Sequence, residues 1–422
     1  MFPPGLEFVA ALYGCFYANV VAVPVYPPRP GRIDLRLESI AQDCAAECVL
    51  TVSSLANDWE NRCQSLDRLR GVRPLATERW RESCSLPELP GPRADDQTAI
   101  IQYTSGSTGD PRGVMLSHRN LMHNSWLIAR TFDVGATGVG LSWCPTYHDM
   151  GLVGGVLKPA YIGRPSILMP PLAFLQKPIR WLRAIDRHGV TVSGGPNFAY
   201  DLCVEKIEPE QCTGLDLSRW EIAYNGAEPI RAETLESFAR KFAPYGFQSE
   251  NFLSCYGLAE STLLVTGGNK SEFPRVGYFD RRELSAQRAK RSDARQPGAN
   301  KVTGSGIART GVQVQIVDPT ERIPLPDGQV GEIRVRSTSV GQGYWRKPEE
   351  TEATFRARIP SDASTTYLRT GDLGFLLDGE FYVTGRMKEL IILRGMNRYP
   401  HDIHFRGLRN ARWRCGGLWL RV

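Results

Sequence analysis

The sequence predicts an α/β fold, mixed layers of helix and strand with a small antiparallel β region toward its end. Three observations carry that reading. Short apolar runs alternate with amphipathic stretches through the first part of the 422 residues. Most of the runs end in glycine, proline or a polar turn, which places small backbone-lined sites along one edge of a sheet. Further on, the pattern gives way to strict apolar–polar alternation, as half-exposed antiparallel strands show.

Residues 8–26 hold no charged side chain and read as a buried helix running into a buried strand, "VVAVPV". "LYGC" within it faintly resembles a lipoprotein cleavage site, but Glu7 precedes it, no basic residue lies upstream, and Asn19 and Pro24 interrupt it. A membrane span or signal is therefore rejected. A helical stretch over 35–48 leads into the strand "CVLTVS", and "TAIIQYTSG" is a strand entering a Gly/Ser/Thr loop. "LSHRNLMHNSWLIARTF" carries apolar residues at helical spacing, and "PSILMP", "VTVSGG" and "WEIAYNGAE" are strands. Residues 268–302, rich in Ser, Arg and Ala with little periodicity, read as a surface excursion. "GVQVQIVD" and "VGEIRVRS" are the half-exposed antiparallel strands. No internal repeat is present.

Composition is that of a globular enzyme, 42% hydrophobic and 23% charged. Lysine and arginine exceed the acids by 51 − 45 = +6, but Arg406, Arg409, Arg412, Arg414 and Arg421 supply five of those charges with no acid after Asp402. The body is near neutral, which excludes a nucleic-acid partner argued from charge. The ten cysteines are scattered without zinc spacing, as reduced thiols of a cytoplasmic protein are.

The loop "YTSGSTGDPRGV" over 103–114 has the makings of a phosphate cradle. Gly106 and Gly109 let bare N–H groups approach an anion. Thr104, Ser105, Ser107 and Thr108 add hydroxyl donors, and Arg112 adds a cation. The Gly-x4-Gly-Lys pattern of P-loop enzymes is absent. Taken alone, such a loop is also what a solvated connection looks like.

Five more stretches follow it: "CPTYHDMGL" at 144–152, "YNGAEPI" at 224–230, "CYGLAES" at 255–261, "YLRTGDLG" at 367–374 and "GRMKELIILRGMNRYP" at 385–400. In this order they resemble the adenylate-forming enzymes: acyl-CoA synthetases, luciferases, peptide-synthetase adenylation domains and fatty acyl-AMP ligases. The resemblance runs from Phe2 to about Ile403. It implies a large ATP- and acyl-binding domain over 1–384, with a β-rich subdomain at about 303–384. A hinge and the start of a small domain would occupy 385–403, with Lys388 as the hinge residue and 404–422 a basic tail outside the family pattern. It also implies that some opening residues and the small C-terminal domain, with its lysine, are absent, and no lysine follows Lys388.

The chemistry implied is attack of a carboxylate on the α-phosphate of ATP, one anion on another. That needs charge neutralisation, positioning and exclusion of water rather than a protein nucleophile. By resemblance, Glu260 holds Mg²⁺ against the phosphates, Tyr256 beside Gly257 stacks on adenine, and Asn225, Gly226, Ala227 and Glu228 line the purine. Asp372 accepts from the ribose hydroxyls with Arg386 at the same sugar, and His148 gates or orients the carboxylate. Arg112 takes the place of the family's lysine as a forked donor. Ala259 stands where many relatives have threonine, so either a neighbour such as Ser261 substitutes or that contact is dispensable.

"YPPRP", "GGPNFAYDLC" and "NGAEP" look most like the fatty acyl-AMP ligases, which pass the acyl group to an acyl carrier protein beside a polyketide or peptide synthetase. Gly194, Gly195, Asn197, Phe198 and Tyr200 would then wall the acyl chain. Residues 356–366 either restrain the small domain or form an indifferent surface loop. A fatty acyl-CoA synthetase, or a catalytically impaired or non-catalytic ATP- or acyl-binding remnant, are the alternative readings.

Overall fold

The computed structural model describes residues 1–28, 35–63, 66–69, 71–80, 91, 94–104, 111–360, 362–389, 391–393 and 396–398. Its centre is a seven-stranded sheet. The order across it is Ile307–Ala308, Leu264–Gly267, Phe252–Gly257, Ile222–Asn225, Val192–Gly194, Gly140–Ser142 and Ser166–Leu168. The last five are mutually parallel, and the first two join antiparallel. The parallel strands therefore end along a common edge, from which Gly226 and Leu258 lead out.

Two hydrophobic layers fix this sheet. On one side an aromatic core gathers Trp143, Phe174, Trp181, Tyr200, Trp220, Phe238 and Phe252. Both fully buried indoles there find acceptors: Trp181 donates to Ser193 at 2.8 Å and Trp220 to the Ile222 carbonyl at 2.9 Å. That removes the desolvation penalty for those two rings, whereas the buried Nε1 of Trp143 in the same core has no hydrogen-bond partner among the described residues. On the other side lies the helix His118–Phe132, whose Leu121, Leu127, Ile128 and Phe132 are buried at helical spacing. Ser117 and Asn120 cap its start reciprocally, as the Ser-x-x-Asn spacing allows.

The antiparallel region is built from Val312–Val317, Gly331–Ser337, Asp362–Leu377 and Ala357–Ile359 in that order, with Glu380–Arg386 also paired to Asp362–Leu377. Its alternation is less open than the sequence suggests. Glu332 and Arg334 are each 1% exposed: Glu332 pairs with Arg334 at 3.3 Å and with Arg369 at 3.0 Å, which offsets the cost of burying its charge and that of Arg334. A third unit sets the hairpin Thr98–Thr104 and Arg112–Ser117 beside Gly343–Tyr344.

Three expectations need correction. The helix Leu6–Tyr17 buries only Phe8 and Leu12, while Leu6 and Tyr17 are exposed, so apolar composition did not mean an enclosed helix. "VVAVPV" contributes one bridge, Ala22 with Ile100, and Pro24 lacks the N–H that a longer ladder would need. Residues 268–302 are no bare excursion: Val276–Asp280 pairs with Ala299–Thr303, and Phe279 is fully buried against Phe375 and Tyr382.

Candidate active site

Thr104 and Arg112 form the last register pair of the Thr98–Thr104 and Arg112–Ser117 hairpin. Ser105, Gly106, Ser107, Thr108 and Gly109 lie outside the described residues. Arg112 stands over the ring of Tyr344, 5.4 Å from its centroid, with its guanidinium 2.9 Å from Glu350. The same Tyr344 donates its hydroxyl to Glu260 at 2.9 Å. One tyrosine thus links the two groups, with the cation over its ring and the carboxylate at its hydroxyl.

Glu260 is reached by a sharp turn out of the strand Phe252–Gly257 into the single 3₁₀ turn Ala259–Ser261. A Cβ on Gly257 would lie 1.8 Å from the Leu263 carbonyl oxygen, so only glycine permits that turn. Burial holds the Glu260 carboxyl above its ordinary range, opposed by its hydrogen bonds, Tyr344's among them.

Asp372 and Arg386 are opposite each other in the pairing of Asp362–Leu377 with Glu380–Arg386, which explains why two distant motifs meet. The Arg386 Nε lies 2.9 Å from one Asp372 oxygen, and the Tyr256 hydroxyl donates to the other at 2.8 Å. Asp372 is 5% exposed, and burial pushes its carboxyl above the usual range while Arg386 pulls it back. Just past the strand Ile222–Asn225, Ala227 adopts φ 73°, a left-handed conformation strained for a residue with a Cβ. Such strain concentrates at ligand sites.

His148 sits before a π-helical segment, Met150–Leu157, whose wide turn is the kind found mostly at functional sites. Its side chain is half-exposed, with Nδ1 2.6 Å from Asp149, and that hydrogen bond raises its pKa.

One cleft of about 1050 Å³ takes in Thr104, Arg112, His148, Gly226, Ala227, Glu228, Tyr256, Gly257, Glu260, Asp372, Arg386 and Lys388. A second part of the same cleft is apolar, between Ile128 and Phe132 on the helix and Leu141, Val192 and Leu264 on the sheet. The polar end holds cations and carboxylates aimed at one space, and the apolar part could take a hydrocarbon chain. The family model of AMP-binding enzymes matches residues 1–345. The chain belongs to the AMP-binding enzymes.

Relatives of this AMP-binding enzyme include the medium-chain-fatty-acid–[acyl-carrier-protein] ligase JamA of Moorena producens (strain JHB). It is 42% identical over 410 residues, covering 96% of this chain and 69% of that protein. The corresponding ligase TtuA of Teredinibacter turnerae is 37% identical over 446 residues, covering 95% and 69%. The crystal structure of a fatty acyl-adenylate ligase from L. pneumophila, in complex with acyl adenylate and pyrophosphate, matches with a TM-score of 0.84. Its identity is 42%, over 96% of this chain and 70% of that one.

Not every expected residue of the AMP-binding enzyme is in the cleft. Gly194, Gly195, Asn197, Phe198 and Tyr200, expected to wall the acyl chain, lie outside its lining. The glycines serve close packing: a Cβ on Gly194 would meet the Tyr224 carbonyl at 2.1 Å, and one on Gly195 would meet Trp143 at 2.5 Å. Tyr200 is fully buried and donates to the Tyr224 carbonyl, while Phe198 is largely exposed and edge-on to Trp143. Asn225, expected at the purine, is buried and donates instead to Asn197, which in turn donates to the Pro229 carbonyl. This pair braces the loop from behind. Ser261, weighed as a substitute for the threonine replaced by Ala259, is fully buried and outside the cleft lining, whereas Ala259 lines it.

Other residues were missed. Tyr344 belongs to no recognisable motif, and only the pairing of Gly343–Tyr344 with Arg112–Ser117 brings it to Glu260. The apolar part of the cleft has no local signature, since its walls come from a helix and several strands. Residues 356–366 are not a bare loop either: Ala357–Ile359 pairs with the start of Asp362–Leu377, and Ile359 packs with Val317 and Tyr367.

Among the described residues no group of three or more His, Cys, Asp or Glu could hold a metal ion by itself. A lone carboxylate such as Glu260 suits Mg²⁺, which is usually bound by one or two carboxylates together with substrate phosphates. No helix among the described residues is long and apolar enough to cross a membrane.

Proposed function

We propose that this AMP-binding enzyme converts a fatty acid and ATP to acyl-adenylate and pyrophosphate, then passes the acyl group to an acyl carrier protein. The observation that carries the reading is the single cleft joining Arg112, Glu260 and Asp372 to an apolar arm. In the first step a carboxylate oxygen bonds to the α-phosphorus while the bond from that phosphorus to the bridging oxygen breaks, and pyrophosphate leaves with the electron pair. Arg112 neutralises phosphate charge, releasing Glu350 as ATP enters. Glu260 would hold Mg²⁺, whose charge offsets that of the phosphates. Tyr256 and the loop of Gly226, Ala227 and Glu228 flank adenine, Asp372 and Arg386 hold the ribose, and His148 orients the incoming carboxylate at the mouth of the arm. The carrier partner is supported by the names of the two ligase relatives, each an acyl-carrier-protein ligase; a polyketide- or peptide-synthetase setting in the cytoplasm is the finer part of this proposal. Lys388, in the turn Met387–Glu389 that follows Arg386, would serve as a hinge.

The test is pyrophosphate release with Mg·ATP and a panel of fatty acids, followed by acyl transfer to a phosphopantetheinylated carrier protein or to CoA. Adenylation with transfer favouring the carrier is expected. Rapid acyl-CoA formation would make the enzyme an acyl-CoA synthetase and leave 356–366 without a restraining role.

A pH experiment examines the ribose end separately. Because burial raises the Asp372 carboxyl above its ordinary 3.8, it takes up its proton at a higher pH than an exposed aspartate. The protonated form loses its charge and half its acceptor capacity. Adenosine, which has no titrating phosphate, should therefore bind more weakly as pH falls, with the loss beginning clearly above 3.8. Calorimetry at descending pH checks this, and affinity that holds down to the ordinary aspartate value would remove Asp372 from the ribose site.

A further inference from the structure

We propose that Lys158 makes the far end of the acyl arm a polar subsite, which takes fatty acids carrying an oxygen acceptor at the distal end, an ω-carboxylate above all. The inference rests on the acyl reading of the arm and deepens it.

Position comes first. Gly140 pairs with Ser166 and with Val192, each at the start of its parallel strand, and all three line the cleft. Gly257, at the opposite end of its strand, and Gly226, one residue past the same end of its own, line it too. The cleft therefore runs the length of the strands, from the adenylation edge to the other edge of the sheet. Ser166 donates to the Gly155 carbonyl at 2.8 Å, and Lys158 follows three residues later at the start of the helix Lys158–Tyr161. That seats the lysine at the edge remote from the site of reaction.

Lys158 is only 4% exposed, yet it belongs to the cleft lining. Among the described residues its ammonium has no hydrogen-bond or ion-pair partner, and its one described contact is the face of Phe132, 5.6 Å from the ring centroid. A ring face offsets part of the cost of burying a cation but accepts none of its three N–H donors in the way an oxygen does. Buried charges are ordinarily paired. Burial alone lowers its pKa to about 8, with no carboxylate acting in the opposite sense, so at neutral pH the group is still mostly charged. A terminal methyl group placed here would leave those donors unmet. A carboxylate, or more weakly a hydroxyl or keto oxygen, would satisfy them.

The experiment compares pyrophosphate release driven by α,ω-dicarboxylic acids and by monocarboxylic acids of equal length, across a series of lengths, in the wild type, Lys158→Met and Lys158→Gln. At the length that reaches the lysine, the wild type should favour the diacid. Lys158→Met should shift the diacid-to-monoacid ratio of kcat/KM toward the monoacid by about tenfold or more, the weight of one charge-assisted hydrogen bond. Lys158→Gln, which keeps donors without charge, should lose the diacid preference while tolerating an ω-hydroxy acid. An unchanged ratio in variants that still adenylate the monoacid would overturn the proposal and leave Lys158 a packing residue on Phe132. Failure of every acid to drive pyrophosphate release in the wild type would instead bring down the acyl reading of the cleft, and this inference with it.

Discussion

Glu260→Gln is expected to slow pyrophosphate release on the order of 10²–10³-fold, the usual consequence of losing one preorganised group at a developing charge. The substitution keeps an oxygen to accept from Tyr344, which donates at 2.9 Å, and it keeps the volume. Only the charge and its capacity to hold a hard cation are removed. Folding should not suffer, because burial already disfavours the ionised carboxyl and a neutral amide removes that penalty. Tyr344→Phe separates orientation from charge: the carboxylate remains, unanchored, and a loss of roughly tenfold is expected from one hydrogen bond to a charged group. Single-turnover assays with saturating ATP and varied Mg²⁺ measure both. If Glu260→Gln kept its rate within a few-fold at all Mg²⁺ concentrations, the carboxylate would have no part in handling the phosphates. The charge would then have to come from Arg112 alone.

What the chain disclosed in advance follows a physical division. Strands and helices with clear periodicity, such as Thr98–Thr104 and His118–Phe132, and the glycine-bearing turns at strand ends were legible because local geometry demands those residues. Asp372 and Arg386 were legible as motifs, but their contact was not, since it arises from register across a hairpin. The residues expected to wall the acyl chain fall outside the cleft lining, and the reason is related. Gly194 and Gly195 signal that something approaches their backbone closely, and sequence cannot say whether that is a ligand or, as here, Tyr224 and Trp143. Tyr344 left no signal because its partner Glu260 is far away in the chain, and Lys158 left none because its burial in the cleft wall comes from the elements packed around it. Likewise, alternation in "VGEIRVRS" marks a strand but cannot show that Glu332 is buried between Arg334 and Arg369, paired with both.

Asp372→Asn separates function from folding at a second point. Both carboxylate oxygens are engaged, one by Arg386 at 2.9 Å and one by the Tyr256 hydroxyl at 2.8 Å, at a residue 5% exposed. If this group accepts the ribose hydroxyls, removing its charge should weaken Mg·ATP binding by about 2–3 kcal/mol, or roughly 30- to 150-fold in Kd. Stability should move the other way or not at all. The folded pKa is raised above the unfolded value, so the carboxyl's stabilising contribution is present below the unfolded pKa and is lost as pH rises through the folded one. At neutral pH the ionised group is therefore a net cost that asparagine does not carry, and the largely exposed Arg386 can be hydrated once its partner is neutral. Thermal denaturation at neutral pH should accordingly show Asp372→Asn at least as stable as the wild type, while calorimetry shows the loss of ATP affinity. Tyr256→Phe is the companion variant. It leaves the ring for adenine and removes only the donor to Asp372, so a milder loss of about fivefold is expected. A stable Asp372→Asn protein with unchanged affinity would show that the Tyr256–Asp372–Arg386 cluster only ties the two sheets together. A variant that loses affinity and stability in proportion would point to the same structural role, because a ribose contact lowers the first without the second.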